Sequence, residues 1–563
     1  METTNLSKLK REKMLSTINE LKKDITDEKV LENISLIENE LTKKKYGLIW
    51  EEHEERVDKE LETQIPTFEE VKDKEIKKVN DDQFNFLLEG DNLHSLYLLE
   101  KTHSGKIDMI YIDPPYNTGS KDFMYNDAVV DQEDSFRHSK WLSFMNRRIQ
   151  LSKKLLTENG VIFISIDDNE LSQLKMLCDS IFDENNFIGL ITVVGNPRGR
   201  DYGGIAKMND YILAYAKSKT YKINKIKDDD KKFKMYDEYG GFELRELRNR
   251  NIKFHKDNRP NLCYPFYVNP NELDENGLLE LSIEAKEGFV EVWPAMSQGI
   301  QTVWRWGKPK SIENMNIHIK GKPMKEKGRY MIVEKYREEK VMARSVWWDK
   351  DTNTEKGTLL LKEIFGSKIF DYPKPMEMIK RICEMGCDKN SIILDFFAGS
   401  GTTGHAVLDL NKEDGGHRKF ILCTNNENNI CEEITYKRLE NVINGYGKVE
   451  GMPANLKYYK TSYVPRMNDD ENDLNANLLI NIKNLIQLEN AIEIDDKKIQ
   501  VFLDEDKLDS FSECDEQLDV CEKIYISSDI LLSSEQEQNF EDNNIEVFII
   551  PNYYFEDEIM EVM

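Results

Sequence analysis

The chain has 563 residues, enough for several domains and a large buried core, so a peptide or a lone binding module is excluded. Its 105 Asp and Glu outnumber 78 Lys and Arg for a net charge of −27, which taken whole repels nucleic acid. At 39% hydrophobic and 10% aromatic it should fold, and no apolar run reaches the roughly 18–20 residues of a membrane span. The opening METTNLSKLKREK has no apolar stretch after its charges, so the expected address is cytoplasmic. Cys178, Cys263, Cys383, Cys387, Cys423, Cys431, Cys514 and Cys521 form no CxxC pair, which suggests structural thiols and no metal site.

Residues 1–80 read as a helical preface followed by a linker: Ile18, Leu21, Ile25, Ile34, Ile37 and Leu41 recur at three- and four-residue steps, and Pro66 opens a charged stretch. Over 81–190 short apolar runs alternate with amphipathic helices: FNFLLEGDN, KIDMIYIDPPYN, a helix through WLSFMNRRIQLSKKLL, then GVIFISIDDNE. That rhythm predicts a parallel sheet covered on both faces, and a second such block, with SIILDFF and KFILCT, fills 351–450. The segment 191–350 differs, with 31 Lys and Arg against 23 Asp and Glu and five of the seven tryptophans. The tail, 451–563, carries 8 basic against 27 acidic residues, yet KIQVFLD, KIYISSDI and IEVFIIPNYYF read as strands of a small acidic domain.

Two strings carry chemistry. After the strand MIYI come Asp113, Pro114, Pro115, Tyr116 and Asn117; proline lacks an amide donor, so the strand must stop and leave the sheet as a rigid loop. In an open parallel sheet ligands bind at such strand ends. A carboxylate, prolyl carbonyls and an aromatic ring held together suit an aromatic amine, whose two N–H hydrogens they accept while Tyr116 stacks on the ring. After the strand SIIL comes Asp395-Phe396-Phe397-Ala398-Gly399-Ser400-Gly401-Thr402-Thr403-Gly404. Glycines let backbone approach a ligand, and amides at a helix start favour an electronegative group. Asp395 would repel a pyrophosphate but suits a cationic amine such as the methionine moiety of S-adenosylmethionine. Glu427 or a neighbouring Asn, after the following strand, stands where ribose hydroxyls are held in such sheets.

Together, DPPY and FxGxGTT in that order resemble the permuted, beta-class amino-methyltransferases of DNA. The longer strings YIDPPYNTGSKDFMYND, GDN at Gly90-Asp91-Asn92 and FDYPKPMEMIKRI resemble more closely the modification (Mod) subunits of type III restriction-modification systems. The resemblance covers about 84–450 and implies a Rossmann-like S-adenosylmethionine-dependent methyltransferase sheet with an inserted target-recognition domain at 191–350. It implies that Asp113 and the Pro114 carbonyl accept hydrogen bonds from adenine N6, with Tyr116 stacking on a base flipped out of duplex DNA. Asp395, Phe397, Ala398, Gly399 and Gly401 would line the methionine end, Thr402 and Thr403 would open the next helix, Lys374 and Pro375 match a further cofactor motif whose lysine would meet the methionine carboxylate, and Asp91 would lie near the cofactor adenine. Phe123 and Tyr125 would help hold the flipped base, and Asp167-Asp168 would orient the active-site loop. The family loop often reads DPFxGxG; Phe396 replaces its proline, which bears on loop stiffness.

The expected reaction is direct methyl transfer to adenine N6, with cytosine N4 as an alternative target of the same motif and no covalent enzyme intermediate. Arg198, Arg200, Arg245, Arg248, Arg250, Lys253 and Arg259 are candidate DNA contacts in the insert. An alternative is an orphan enzyme, or chiefly a specificity and assembly subunit. The resemblance implies a homodimer and a separate helicase-nuclease restriction subunit, since the chain has no Walker string of its own.

Overall fold

The computed structural model describes residues 6–25, 28–42, 50–80, 83–119, 124–125, 128–131, 133–199, 204–227, 231–465, 471–551 and 554. The chain divides into two compact units, one made of residues 1–224 and 344–563 and the other of Lys225–Ala343.

The first unit is built on a sheet with ten strands among the described residues. Its parallel centre runs, in spatial order, Asn85–Glu89, Lys419–Thr424, Ile392–Asp395, Ile107–Ile112 and Leu156–Ile166. These strands read as near-continuous apolar runs because helices cover both faces; Met109, Ile110, Ile112, Ile162, Phe163, Leu394 and Leu422 are wholly buried. The expected α/β Rossmann-like fold is therefore present.

Three boundaries differ from the sequence expectation. The stretch expected as a linker contains the strand Gln64–Glu70, which pairs antiparallel with Leu456–Pro465 and buries Phe68. It lies at the sheet edge, where Pro66 costs no ladder bond. Leu456–Pro465 runs parallel to Asn85–Glu89, so the acidic tail begins inside the main sheet. On the opposite side Phe187–Val194 and Asn209–Ala216 form an antiparallel pair that joins Leu156–Ile166, and Val346–Trp347 adds to them. The separate unit is thus narrower than 191–350, and between 225 and 343 the balance is 23 Lys and Arg against 20 Asp and Glu.

The tail strands lie as expected, at Ile499–Phe502, Lys523–Ile526 and Glu546–Ile549, in a parallel sheet with its own core of Leu508, Phe511, Leu518, Ile524 and Phe540. Helices Leu6–Asp24 and Glu28–Thr42 form the preface. In the second unit seven described strands make an antiparallel sheet around Phe266, Val268, Leu281, Trp304 and Ile332. Among the described residues no helix is long and apolar enough to cross a membrane, and no cluster of ligand residues could hold a metal ion.

Candidate active site

The two motifs meet because their strands are neighbours: Ile393 pairs with Met109 and Leu394 with Ile110. From these adjacent strands the chain departs to opposite sides, through helix Arg137–Leu155 to Leu156–Ile166 and through helix Thr402–Asp414 to Lys419–Thr424. The carboxyl ends of two such diverging strands leave a crevice, the usual ligand site of an open α/β sheet. Asp113 and Asp395 both stand at its rim, close enough that the Asp113 charge raises the pKa of Asp395.

On the Asp113 side, the Tyr116 hydroxyl donates to Asp113 Oδ1 at 2.9 Å. Burial, then the Asp113 charge, holds that phenol well above its ordinary range, so it acts as a neutral donor. Lys374 Nζ lies 2.6 Å from the same hydroxyl and 3.0 Å from Asp113 Oδ1. The lysine therefore sits on Asp113 and Tyr116, whereas the family resemblance puts it at the methionine carboxylate. Pro375 caps helix Met376–Gly386 and lines a small cavity with Tyr116, Ser165, Asp210 and Lys374. Trp141 Nε1 donates to the Pro115 carbonyl at 2.7 Å, which occupies that acceptor. The Pro114 carbonyl has no donor among the described residues, which leaves it open as an acceptor next to Asp113 in the chain.

On the Asp395 side, the buried carboxylate takes Phe397 N at 3.0 Å and Thr403 Oγ1 at 2.5 Å. Burial pushes its pKa up to about 7 against those hydrogen bonds. Asp395 and Thr403 thus staple the loop between strand and helix, and Thr402 Oγ1 accepts from Arg438 at 2.8 Å. Gly401 caps helix Thr402–Asp414 at φ 74°, with Thr435 Cγ2 3.1 Å from where a Cβ would stand; at Gly399, φ 49°, a Cβ would meet the Phe370 ring and the Phe397 carbonyl at 3.8 Å. The amides of Gly399 and Ser400 meet no acceptor among the described residues. Beneath them Arg438 is fully buried against neutral groups, Ser400 O, Ser400 Oγ, Thr402 Oγ1 and, at 3.4 Å, His405 Nδ1. Burial without a counter-ion draws its pKa down to about 9, which leaves it charged at neutral pH. Free amides over a buried cation fit a ligand carboxylate. Neither Arg438 nor Thr435, whose hydroxyl donates to Gly399 O at 2.6 Å, was singled out from sequence.

A third group ties these loops to the start of the chain. Arg148, fully buried, donates to Asn92 Oδ1 at 2.5 Å, Asp91 Oδ1 at 3.2 Å, and Glu55 Oε1 and Oε2 at 2.9 and 3.0 Å. Asn92 Nδ2 in turn holds the Phe396 carbonyl at 2.8 Å. Asp91 accepts from Leu93 N at 2.7 Å as cap of helix Asn92–His103, so this carboxylate is engaged at the edge of the site. Asp167 and Asp168 share Lys207, at 2.9 and 3.0 Å.

Other expected residues are not drawn in. Glu427 is exposed in a short turn after Lys419–Thr424. Phe123 and Arg200 lie outside the described residues, as does the side chain of Tyr125. Arg245 pairs with Glu243 at 2.8 Å, and Arg248 and Arg250 with Glu246 at 2.7 and 2.9 Å, so three of the proposed DNA contacts already have counter-ions. Arg198 is exposed.

A family model described as DNA methylase matches residues 107–437. The chain is 35% identical over 381 residues to the type II methyltransferase M.KpnI of Klebsiella pneumoniae, covering 67% of this chain and 87% of that protein. It is 33% identical over 439 residues to the EcoPI Mod subunit of Escherichia phage P1, a type III restriction-modification enzyme, covering 71% and 66% respectively. For the StyLTI Mod subunit of Salmonella typhimurium the identity is 32% over 398 residues, with 64% and 56% covered. The match thus spans less than two thirds of each of these two Mod subunits.

Proposed function

The chain belongs to the N6/N4 DNA methylase family, and from that premise we propose that it transfers a methyl group from S-adenosylmethionine to adenine N6 in duplex DNA. The observation that carries the reading is the pairing of Ile392–Asp395 with Ile107–Ile112, which sets the Asp113 loop beside the Asp395 loop. Asp113 and the Pro114 carbonyl accept the two N6 hydrogens of a flipped adenine, and Tyr116 offers its ring for stacking. With its hydrogens so held, the amino nitrogen presents its lone pair out of the ring plane. S-Adenosylmethionine, when bound, supplies an electrophilic methyl group. The N–C bond forms as the S–C bond breaks, and the surplus amino proton leaves along its hydrogen bond to Asp113. The free amides of Gly399 and Ser400 over Arg438 would take the methionine carboxylate, with Phe397, Ala398 and Gly401 beside it.

The similarity to the EcoPI and StyLTI subunits supports a role as the modification and specificity subunit of a type III system, acting as a homodimer with a restriction partner. The unit Lys225–Ala343 would read the target sequence. A second reading, a stand-alone enzyme, is favoured by the match to M.KpnI, 87% of which is covered. The test is expression in a host that lacks adenine methylation, followed by sequencing of its genome for modified bases. N6-methyladenine in one short motif, absent with Asp113→Ala, is the expected result; N4-methylcytosine would move the target, and an unmodified genome would overturn the reading.

A further inference from the structure

We propose that Glu170 is a positioning residue for the methyl-transfer loop: as a neutral carboxylic acid it closes a cyclic hydrogen-bonded pair with the Asn117 amide and so fixes the segment Asp113–Asn117. The proposal rests on the function given above and names a residue that neither motif contains.

Asn117 follows Tyr116 directly, is wholly buried, and has φ 57°, in the left-handed region that asparagine tolerates better than most residues. Its Nδ2 donates to Glu170 Oε1 at 2.6 Å and to Arg137 O at 3.2 Å, which uses both amide hydrogens. That leaves two buried oxygens without a partner, Asn117 Oδ1 and Glu170 Oε2, on two planar groups already joined through their other atoms. Buried acceptors of this kind are costly, and an ionised carboxylate has no hydrogen to offer. A proton on Glu170 Oε2 serves both at once and completes an acid–amide ring.

The neighbours place the proton on that oxygen. Arg137 Nε donates to His138 Nε2 at 3.2 Å, which favours the tautomer with its hydrogen on Nδ1, 2.6 Å from Glu170 Oε1; the Gln173 amide also meets that Nδ1, at 3.3 Å. Oε1 therefore already receives two donors. Burial keeps both groups neutral, pushing Glu170 up to about 8 and His138 down. Three other groups face the carboxyl. Asn117 and the Arg137 charge favour its ionised form, and the Asp167 charge opposes it.

The consequence is a pH dependence in the loop. As pH rises through about 8 the proton leaves, the ring opens, and the Asn117 and Glu170 oxygens repel across it. Glu170→Gln replaces the acid–amide ring with an amide–amide ring that does not titrate, and Glu170→Ala removes it. The test is kcat for methyl transfer to unmodified DNA at saturating S-adenosylmethionine between pH 6.5 and 9.5. Wild type should fall about tenfold across pH 8. Glu170→Gln should lack that fall, and Glu170→Ala should be at least tenfold slow throughout with KM little changed. An identical fall in wild type and Glu170→Gln, or full activity of Glu170→Ala, would overturn the proposal. Infrared difference spectra of wild type minus Glu170→Gln decide it without DNA: a protonated carboxyl band that bleaches near pH 8 supports the ring, and its absence at pH 6.5 refutes it. Should wild type transfer methyl to no DNA, the functional reading fails and the infrared result still judges the ring.

Discussion

Replacing Arg148 with methionine tests whether the buried guanidinium holds the start of the chain, the Asp91-Asn92 turn and the cofactor loop together. Arg148 is fully buried, and Glu55 is nearly so and meets it through both oxygens. Breaking a buried pair and leaving its partner uncompensated costs about 3–5 kcal/mol. Arg148→Met also strips the donor from Asn92 Oδ1, so about 4 kcal/mol is expected. Glu55→Met should cost less, because Asp91 still faces Arg148 at 3.2 Å, and the double variant should recover about 1–3 kcal/mol of the sum, because the Glu55 charge that Arg148→Met strands is gone. Opening free energies from amide exchange in helices Asn92–His103 and Arg137–Leu155 give these values directly. Since Asn92 holds the Phe396 carbonyl, affinity for S-adenosylmethionine should drop with Arg148→Met as well. Strictly additive single variants, or a cost under about 1 kcal/mol with unchanged cofactor affinity, would refute the reasoning.

Gly401→Val places a side chain at φ 74° and against Thr435, so about 1–3 kcal/mol of stability and most cofactor affinity should be lost, measured by denaturant titration and calorimetry. Asp395, held near 7 when folded and near its ordinary 3.8 when unfolded, contributes stability that is full below about pH 4 and lost as pH rises to 7. Melting curves of Asp395→Asn should lack that part of the pH dependence. Lys374→Met, which removes the cation held against both Asp113 Oδ1 and the Tyr116 hydroxyl, should lower kcat for methyl transfer at least tenfold while leaving DNA affinity within about twofold. For DNA, Arg198→Ala should reduce the slope of log affinity against log salt by about one, whereas Arg248→Ala, whose charge is already paired with Glu246, should change it little.

The chemistry was most legible where its signal is local. Pro114 and Pro115 stop a strand, and Gly399 and Gly401 allow a tight strand-to-helix turn, so both loops could be placed at strand ends from sequence alone. Residues that act across the fold gave no such signal. Arg148, Glu170 and Arg438 are single charged residues in amphipathic helices or turns, and only nonlocal pairing shows that their heads point inward. Arg245, Arg248 and Arg250 stand out by a regional charge excess that points to nucleic acid, and sequence gives no sign that Glu243 and Glu246 pair with them. Gln64–Glu70 escaped notice because an edge strand needs no continuous apolar run and tolerates Pro66. The insert boundary at 191 cuts Phe187–Val194 and takes in Asn209–Ala216, because the long-range pairing that joins them to Leu156–Ile166 leaves no mark on local composition.

The central claim is that two adjacent strand ends divide one reaction, the Asp113 loop activating the amine and the Asp395 loop holding the cofactor. Single-turnover transfer of labelled methyl, run beside equilibrium binding of S-adenosylmethionine, measures the division directly. Asp113→Ala should bind the cofactor within about threefold of wild type yet transfer at least a hundredfold more slowly, whereas Gly401→Val should lose binding first. Loss of cofactor binding in Asp113→Ala equal to its loss of transfer, or normal transfer in that variant, would contradict it.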